Sequence, residues 1–389
     1  MHTDPVVFTI FLIFTGAAAL ATVALYARQS MLVAYIVLGM LLGPSGAGLV
    51  EDAEMTRQVA EIGIMFLLFL LGLDLYPQKL ISLFRKTMVV TGVSSGLFAG
   101  LGFVLGWALG FAWMECLIIG VTLMFSSTII GLKLLPTTVL HHKHTGEIII
   151  SVLLLQDLIA IIVLLLLQAS DRRGMPLVDI LLVLLSLPAL VLFAWLFERF
   201  VVMTLVRRFD KIHEYIFLLA IGWCLGLAQL AESVGLSYEI GAFIAGVLLA
   251  TSPIALYIAN SLKPLRDFFL VIFFFTLGAR FDVAILMDVL LPASLLAALT
   301  LTLKPLAFRF LLRRLGEASG RSREVGVRLG QISEFSLLIA VLALERGIIG
   351  HQAAYLIQVA ALLTFMVSSY VIVMRYPTPI AISDRLRRD

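Results

Sequence analysis

Long apolar runs, cut by short charged or Gly/Pro-rich breaks, follow one another from one end of the chain to the other. At 1.5 Å per residue, a run of about 20 residues crosses a hydrocarbon core of about 30 Å, so each run reads as a membrane-spanning helix. The breaks predict about 13 spans, over 6–27, 31–49, 58–77, 87–110, 113–136, 145–168, 177–207, 213–231, 236–252, 262–280, 285–313, 321–346 and 352–375. The expected fold class is an all-α polytopic membrane protein. Span seven is the longest and ends in Glu198 and Arg199, which suits a linker between two six-span halves. The domain organisation that follows is 1–168 as a first repeat, 169–212 as the linker span, 213–375 as a second repeat and 376–389 as a tail. An odd linker gives the halves opposite topology, the inverted-repeat plan of secondary transporters, in which broken helices from the two halves meet at mid-membrane.

Composition strengthens this reading. Of 389 residues, 61% are hydrophobic and 14% charged, against roughly 45–50% and about 25% in soluble domains. The two cysteines, Cys116 and Cys224, lie inside apolar runs and form neither a CxxC pair nor a disulfide framework. The first run lacks a basic leader and a small-residue cleavage site, so it reads as a retained span.

The formal charge of +3 matters less than its distribution. Alternate connections collect Lys79, Arg85 and Lys86, then Arg207, Arg208 and Lys211, then Arg313, Arg314, Arg321 and Arg323. The opposite set holds little beyond Arg57, Arg172, Arg173, Arg280 and Arg346. By the positive-inside rule the C-terminus is cytoplasmic and the N-terminus outside; the expected location is the plasma membrane, the inner membrane of a bacterium. Nucleic acid is not an expected partner.

Against this background a few polar residues stand out, because an ionisable group at the bilayer centre costs roughly 2.5–3.5 kcal/mol on insertion scales. Gln156 and Asp157 sit in the middle of span six, in ISVLLLQDLIAIIVLLLL. Lys304 lies within span eleven and is followed by Pro305, which predicts a break or kink there. Span twelve carries Gln331, Ser333, Glu334 and Ser336 in GQISEFSLL, and span five carries Ser126, Ser127 and Thr128 in LMFSSTIIGLK. Spans five and twelve hold the same place in the two halves, and matched interruptions point to a transporter's binding site.

Burial disfavours the charged form of an acid, whereas a nearby ammonium favours it. One buried carboxylate can then alternate between a proton and a partly dehydrated cation, which is exchange by alternating access at Asp157. Lys304 is either the counter-charge that pairs with Asp157 when the cation is absent or a structural lysine. Glu334 is open in the same way, and the hydroxyls of Ser126 to Thr128 are alternatively bonded back to their own helix. His141, His142 and His144, in HHKH, do not by themselves make the full coordination set a metal site needs and read as a solvated loop. Glu61 and Asp74 flank span three and read as structural.

Several stretches together resemble the monovalent cation:proton antiporter-2 family, and within it the Kef-type potassium/proton antiporters. They are YIVLGMLLGPSG, VAEIGIMFLLFLLGLDL, FSSTIIGLKLL, LLLQDLIAIIVL, GAFIAGVLLA, LKPLRDFFLVIFFFTLGARFD and GQISEFSLLIA, in that order along nearly the whole chain. The resemblance implies that Asp157 is the ion- and proton-binding carboxylate. It also implies that Gln156 marks the potassium type, since sodium-selective relatives have Asn or Asp there. By the same resemblance, Ser126, Ser127 and Thr128 form one broken helix, Gln331, Ser333 and Glu334 form the other, and Lys304 is the lysine opposite the aspartate. A mobile core domain and a dimerisation domain are implied, hence a homodimer. Kef proteins usually continue into a cytoplasmic regulatory domain with a GxGxxG fingerprint, which this chain lacks, so no cofactor is expected here. Thr251-Ser252-Pro253 replaces an acidic residue that Kef members tend to carry.

Rival functions fit less well. A channel needs a ring of charges or carbonyls, and a sodium-coupled solute symporter wants an arginine or several polar groups around a larger cavity. Sodium/proton exchange would use the same machinery. Nothing forms the nucleophile, base and orienting group of an enzyme.

Overall fold

The computed structural model describes residues 5–27, 29–50, 53–74, 77–134, 144–169, 177–252, 254–281 and 283–378. The first half gives α1 (Pro5–Tyr26), α2 (Met31–Leu42), α3 (Ala53–Asp74), α4 (Pro77–Ala108), α5 (Trp113–Leu123), α6 (Thr128–Lys133) and α7 (His144–Ala169). A longer element follows, α8 (Leu177–Phe197), which passes through a π-turn at Glu198–Val202 into α9 (Met203–Phe209). The second half gives α10 (His213–Ser233), α11 (Tyr238–Ala250), α12 (Ala255–Ala279), α13 (Val283–Arg314), α14 (Ser319–Arg328), α15 (Glu334–Glu345) and α16 (His351–Arg375). Helices are what apolar sequence must form in lipid, where every backbone N–H and C=O needs an internal partner.

Among the described residues seven helices are long and apolar enough to cross a membrane, and shorter apolar helices lie at Met31–Leu42, Gln58–Leu73, Trp113–Leu123 and Tyr238–Ala250. The fifth and twelfth runs of the sequence are each two helices with an interruption, α5 and α6 around 124–127 and α14 and α15 around 329–333. Pro305 does not break its helix, contrary to expectation: α13 runs through both Pro292 and Pro305. Membrane helices tolerate proline where neighbours meet the freed backbone groups. Here α14 lies directly on that turn, with Gly326 so close that a Cβ would fall 2.6 Å from Pro305 O.

Contacts divide the chain into two compact units, each drawn from both halves. The first comprises Met1–Thr15, Tyr35–Leu80 and Gln168–Arg280. In it α3 packs on α11 and α12, and α11 on α10, with small residues at the tightest places as membrane helices require. A Cβ on Gly39 would land on Phe275 O, and one on Gly246 would land on Phe69 O. Likewise a Cβ on Gly278 would land on Ile36 O, and one on Gly72 would fall 2.6 Å from Phe243 O. Gly39 and Gly246 are 207 positions apart, Phe69 and Phe275 are 206 apart, and Gly72 and Gly278 are 206 apart. The same approach is thus made twice with the halves exchanged, as a two-fold repeat demands.

The second unit comprises Gly16–Ala34, Ile81–Leu167 and Phe281–Asp389. The offset recurs there. Gly120 sits against Ala99 O where α5 meets α4, and Gly326, 206 positions on, sits against Pro305 O where α14 meets α13. Both broken helices, α7 and α13 belong to this unit.

Candidate ion-binding site

Each interruption is made by a serine. Ser127 Oγ accepts from Ile130 N–H at 3.1 Å and so starts α6, and Ser333 Oγ accepts from Phe335 N–H at 3.1 Å and starts α15. A serine at this position satisfies a donor that a helix start leaves open. The backbone between the half-helices also needs partners, because it is buried. Gln156 on α7 supplies two, accepting from Ser126 N–H at 3.0 Å and donating Nε2–H to Met124 O at 2.9 Å. In the second half Thr364 Oγ1 on α16 accepts from Ile332 N–H at 3.1 Å. Ser126 and Ile332 are themselves 206 positions apart, so the two breaks are braced in matching places by different side chains.

The four half-helix ends carry partial charges of roughly half an elementary unit, negative at C-termini and positive at N-termini. Lys304 is 1% exposed and its ammonium stands at the negative ends. It donates to Phe125 O at 2.8 Å, beyond the end of α5, to Gln331 O at 3.1 Å, beyond the end of α14, and to Ser126 Oγ at 3.3 Å. Ser126 Oγ passes the bond on to Leu329 O at 2.8 Å. At the positive ends Thr128, first residue of α6, donates its hydroxyl to Glu334 Oε1, first residue of α15. A cation therefore meets the two negative ends and a carboxylate the two positive ones.

These partners have a further regularity. Phe125 and Gln331 are repeat mates, and Lys304 Nζ bonds to both of their carbonyls. Lys304's own mate is Phe98, whose ring centroid lies 5.2 Å from Nζ. Thr128 and Glu334 are mates that touch each other. Residues that touch their own mates lie on the repeat's two-fold axis, where two like charges would face one another. In each pair only one member is charged.

Asp157 is 2% exposed and directly follows Gln156 on α7. All three hydrogens of the Lys304 ammonium are engaged with the breaks. Gln331 donates Nε2–H to Ser127 O at 3.4 Å and accepts from Ser368 Oγ at 3.0 Å, while Ser336 donates to Thr122 O at 2.6 Å. The structure thus links Gln156, Ser126, Lys304, Gln331 and Ser127 in one buried network, with the Thr128–Glu334 pair and Ser333 at the starts of the two following half-helices. Sequence reasoning missed Thr364 and Ser368, although two hydroxyls four apart on an apolar helix are a readable signal. It also missed Phe98. His141 and His142 lie outside the described residues. His144 is bonded to Glu147 and Glu317, both at 2.9 Å, and among the described residues no group of His, Cys, Asp and Glu is placed to hold a metal ion.

Half-helix termini converging on buried charges inside a chain of membrane-spanning helices define a class, the ion transporters built on discontinuous helices. This chain belongs to the family described as sodium/hydrogen exchanger, transmembrane, which matches residues 10–374, a family of transporters and not of enzymes. Over 368 residues it is 31% identical to the glutathione-regulated potassium-efflux system protein KefC of Salmonella schwarzengrund (strain CVM19633), covering 93% of this chain and 59% of that one. The KefC protein of Klebsiella pneumoniae (strain 342) is 31% identical over 375 residues, with the same coverages. The chain spans about three fifths of the length of these curated relatives. The structure of the sodium proton antiporter MjNhaP1 from Methanocaldococcus jannaschii has the same fold, with a TM-score of 0.69 over 94% of this chain and 95% of that chain at 17% identity.

Proposed function

We propose that the protein is a secondary antiporter that exchanges potassium for protons, with Asp157 binding either ion in turn. The observation that carries the reading is a buried carboxylate one residue on from the glutamine that braces the first broken helix, in a site whose helix-end charges are already matched. The helix C-termini are met by Lys304 and the N-termini by Glu334. On this reading Lys304 serves the helix ends, and the charge exchanged at Asp157 is a proton or a cation. Gln156 keeps Asp157 in register with the break by holding Met124 and Ser126. A partly dehydrated cation would take oxygen ligands from the carboxylate and from the hydroxyls of Ser126 to Thr128. The identity to potassium-efflux proteins favours potassium, while the fold shared with a sodium proton antiporter makes sodium the second reading. The distribution of basic residues supports an inner-membrane protein with its C-terminus in the cytoplasm, and the family resemblance supports a homodimer.

The test is transport by the purified protein in vesicles that carry a proton gradient and an internal pH dye, with potassium, sodium, rubidium or lithium added in turn. A pH change driven by potassium and not by sodium is the expected result. A sodium preference would replace potassium in the proposal, and silence with every cation would refute exchange.

A further inference from the structure

We infer that the C-terminal end of α13 is a binding site for the phosphate headgroup of an anionic phospholipid. Arg309, Arg313 and Arg314 project from this one helix at spacings of four and one, and with Leu306 and Phe310 they line a hollow of about 450 Å³. Residues four apart share a helix face, so Arg309 and Arg313 form one basic edge, which Arg314 extends. Among the described residues none of the three guanidiniums meets a carboxylate in this structure. Arg314 stacks over Phe310 instead, 4.9 Å from the ring centroid.

Position says what the partner is. The apolar span Ile285–Arg314 has 30 residues, about 45 Å at 1.5 Å per residue, against a hydrocarbon core of about 30 Å. The last turns therefore fall at or beyond the edge of the core, at the depth of lipid phosphates. Leu306 and Phe310 are exposed on the same helix, which suits acyl chains below a headgroup. A soluble anion would have no use for that apolar floor, and a zwitterionic lipid would bring an ammonium against three arginines. Arginine offers the planar donor pair that grips phosphate oxygens, and each basic residue near an anionic surface adds to the attraction.

The experiment uses the full chain, stripped of lipid and titrated with phosphatidylglycerol, phosphatidylcholine or inorganic phosphate. Lipid retention is read by native mass spectrometry and stabilisation by apparent Tm. The same series is run on R309Q/R313Q/R314Q and, as a control for charge alone, on R207Q/R208Q. Phosphatidylglycerol should be retained by the native chain and the control, and about a hundredfold less or weaker by the triple variant, at about 1 kcal/mol for each arginine removed. Equal retention by the triple variant would overturn the site. So would equal binding of phosphatidylcholine, or saturation by inorganic phosphate alone. Should the triple variant fail to fold, R313Q alone, on an exposed side chain, is expected to weaken retention part of the way, and no change in it would overturn the site equally.

Discussion

Lys304 and Phe98 are repeat mates on the two-fold axis, so the lysine should work from either side of it. The perturbation is the exchange of the two residues, Phe98→Lys with Lys304→Phe, measured beside each single substitution. Lys304→Phe alone removes the donor to Phe125 O and Gln331 O. At about 1–3 kcal/mol per buried group left unsatisfied, that costs about 2–6 kcal/mol. Phe98→Lys alone sets a second ammonium where the ring centroid now lies, 5.2 Å from the first. With an effective dielectric near 20 the repulsion is about 3 kcal/mol. In the double variant the ammonium introduced at position 98 meets the same two carbonyls, because the operation that carries position 304 to 98 also carries Gln331 to Phe125. The loss in that variant should stay within about 2 kcal/mol, so the two substitutions couple favourably by several kcal/mol. The assay is apparent Tm in detergent at one fixed heating rate, since membrane proteins often unfold irreversibly. A double variant as unstable as the worse single one would refute the axial placement of the lysine.

Two other outcomes follow from the same network and its edge. Gln156→Leu strands Ser126 N–H and Met124 O, which should cost about 2–6 kcal/mol and lower the apparent Tm, and an unchanged Tm would show that the break does not depend on that amide. Between α13 and α14, burial alone would push Glu317 up, but hydrogen bonds from Arg321 and His144 outweigh it and hold the carboxyl below its ordinary range. Its stabilisation is then complete above the unfolded value, near about 4.3, and is lost as pH falls through the lower folded value. A Tm–pH profile should fall less steeply below about pH 4.3 in Glu317→Gln than in the native protein, and parallel acid limbs would refute this.

Much of the fold was legible because hydrocarbon imposes one rule on every span. The run 145–168 became His144–Ala169 and the run 352–375 became His351–Arg375. The interruptions were legible too, since consecutive hydroxyls and a QISE stretch are out of place in lipid-facing sequence. Pro305 misled because a proline's effect depends on what covers the freed turn, here Gly326 from another helix, which no local pattern shows. The partners of Lys304 were not readable, because two of them are backbone carbonyls and any residue type supplies one. The repeat was readable in principle. YIVLGMLL and AFIAGVLL, or GVTLMFSST and GVRLGQISE, align at the offsets the close helix approaches reveal.

The central claim is competition between a proton and potassium for one carboxylate. It is tested most directly by adding potassium to the purified protein in weakly buffered solution and recording proton release, with Asp157→Asn alongside. The account requires release from the native protein that saturates with potassium and disappears in the variant. Equal release from Asp157→Asn would place the exchange at another group and contradict it.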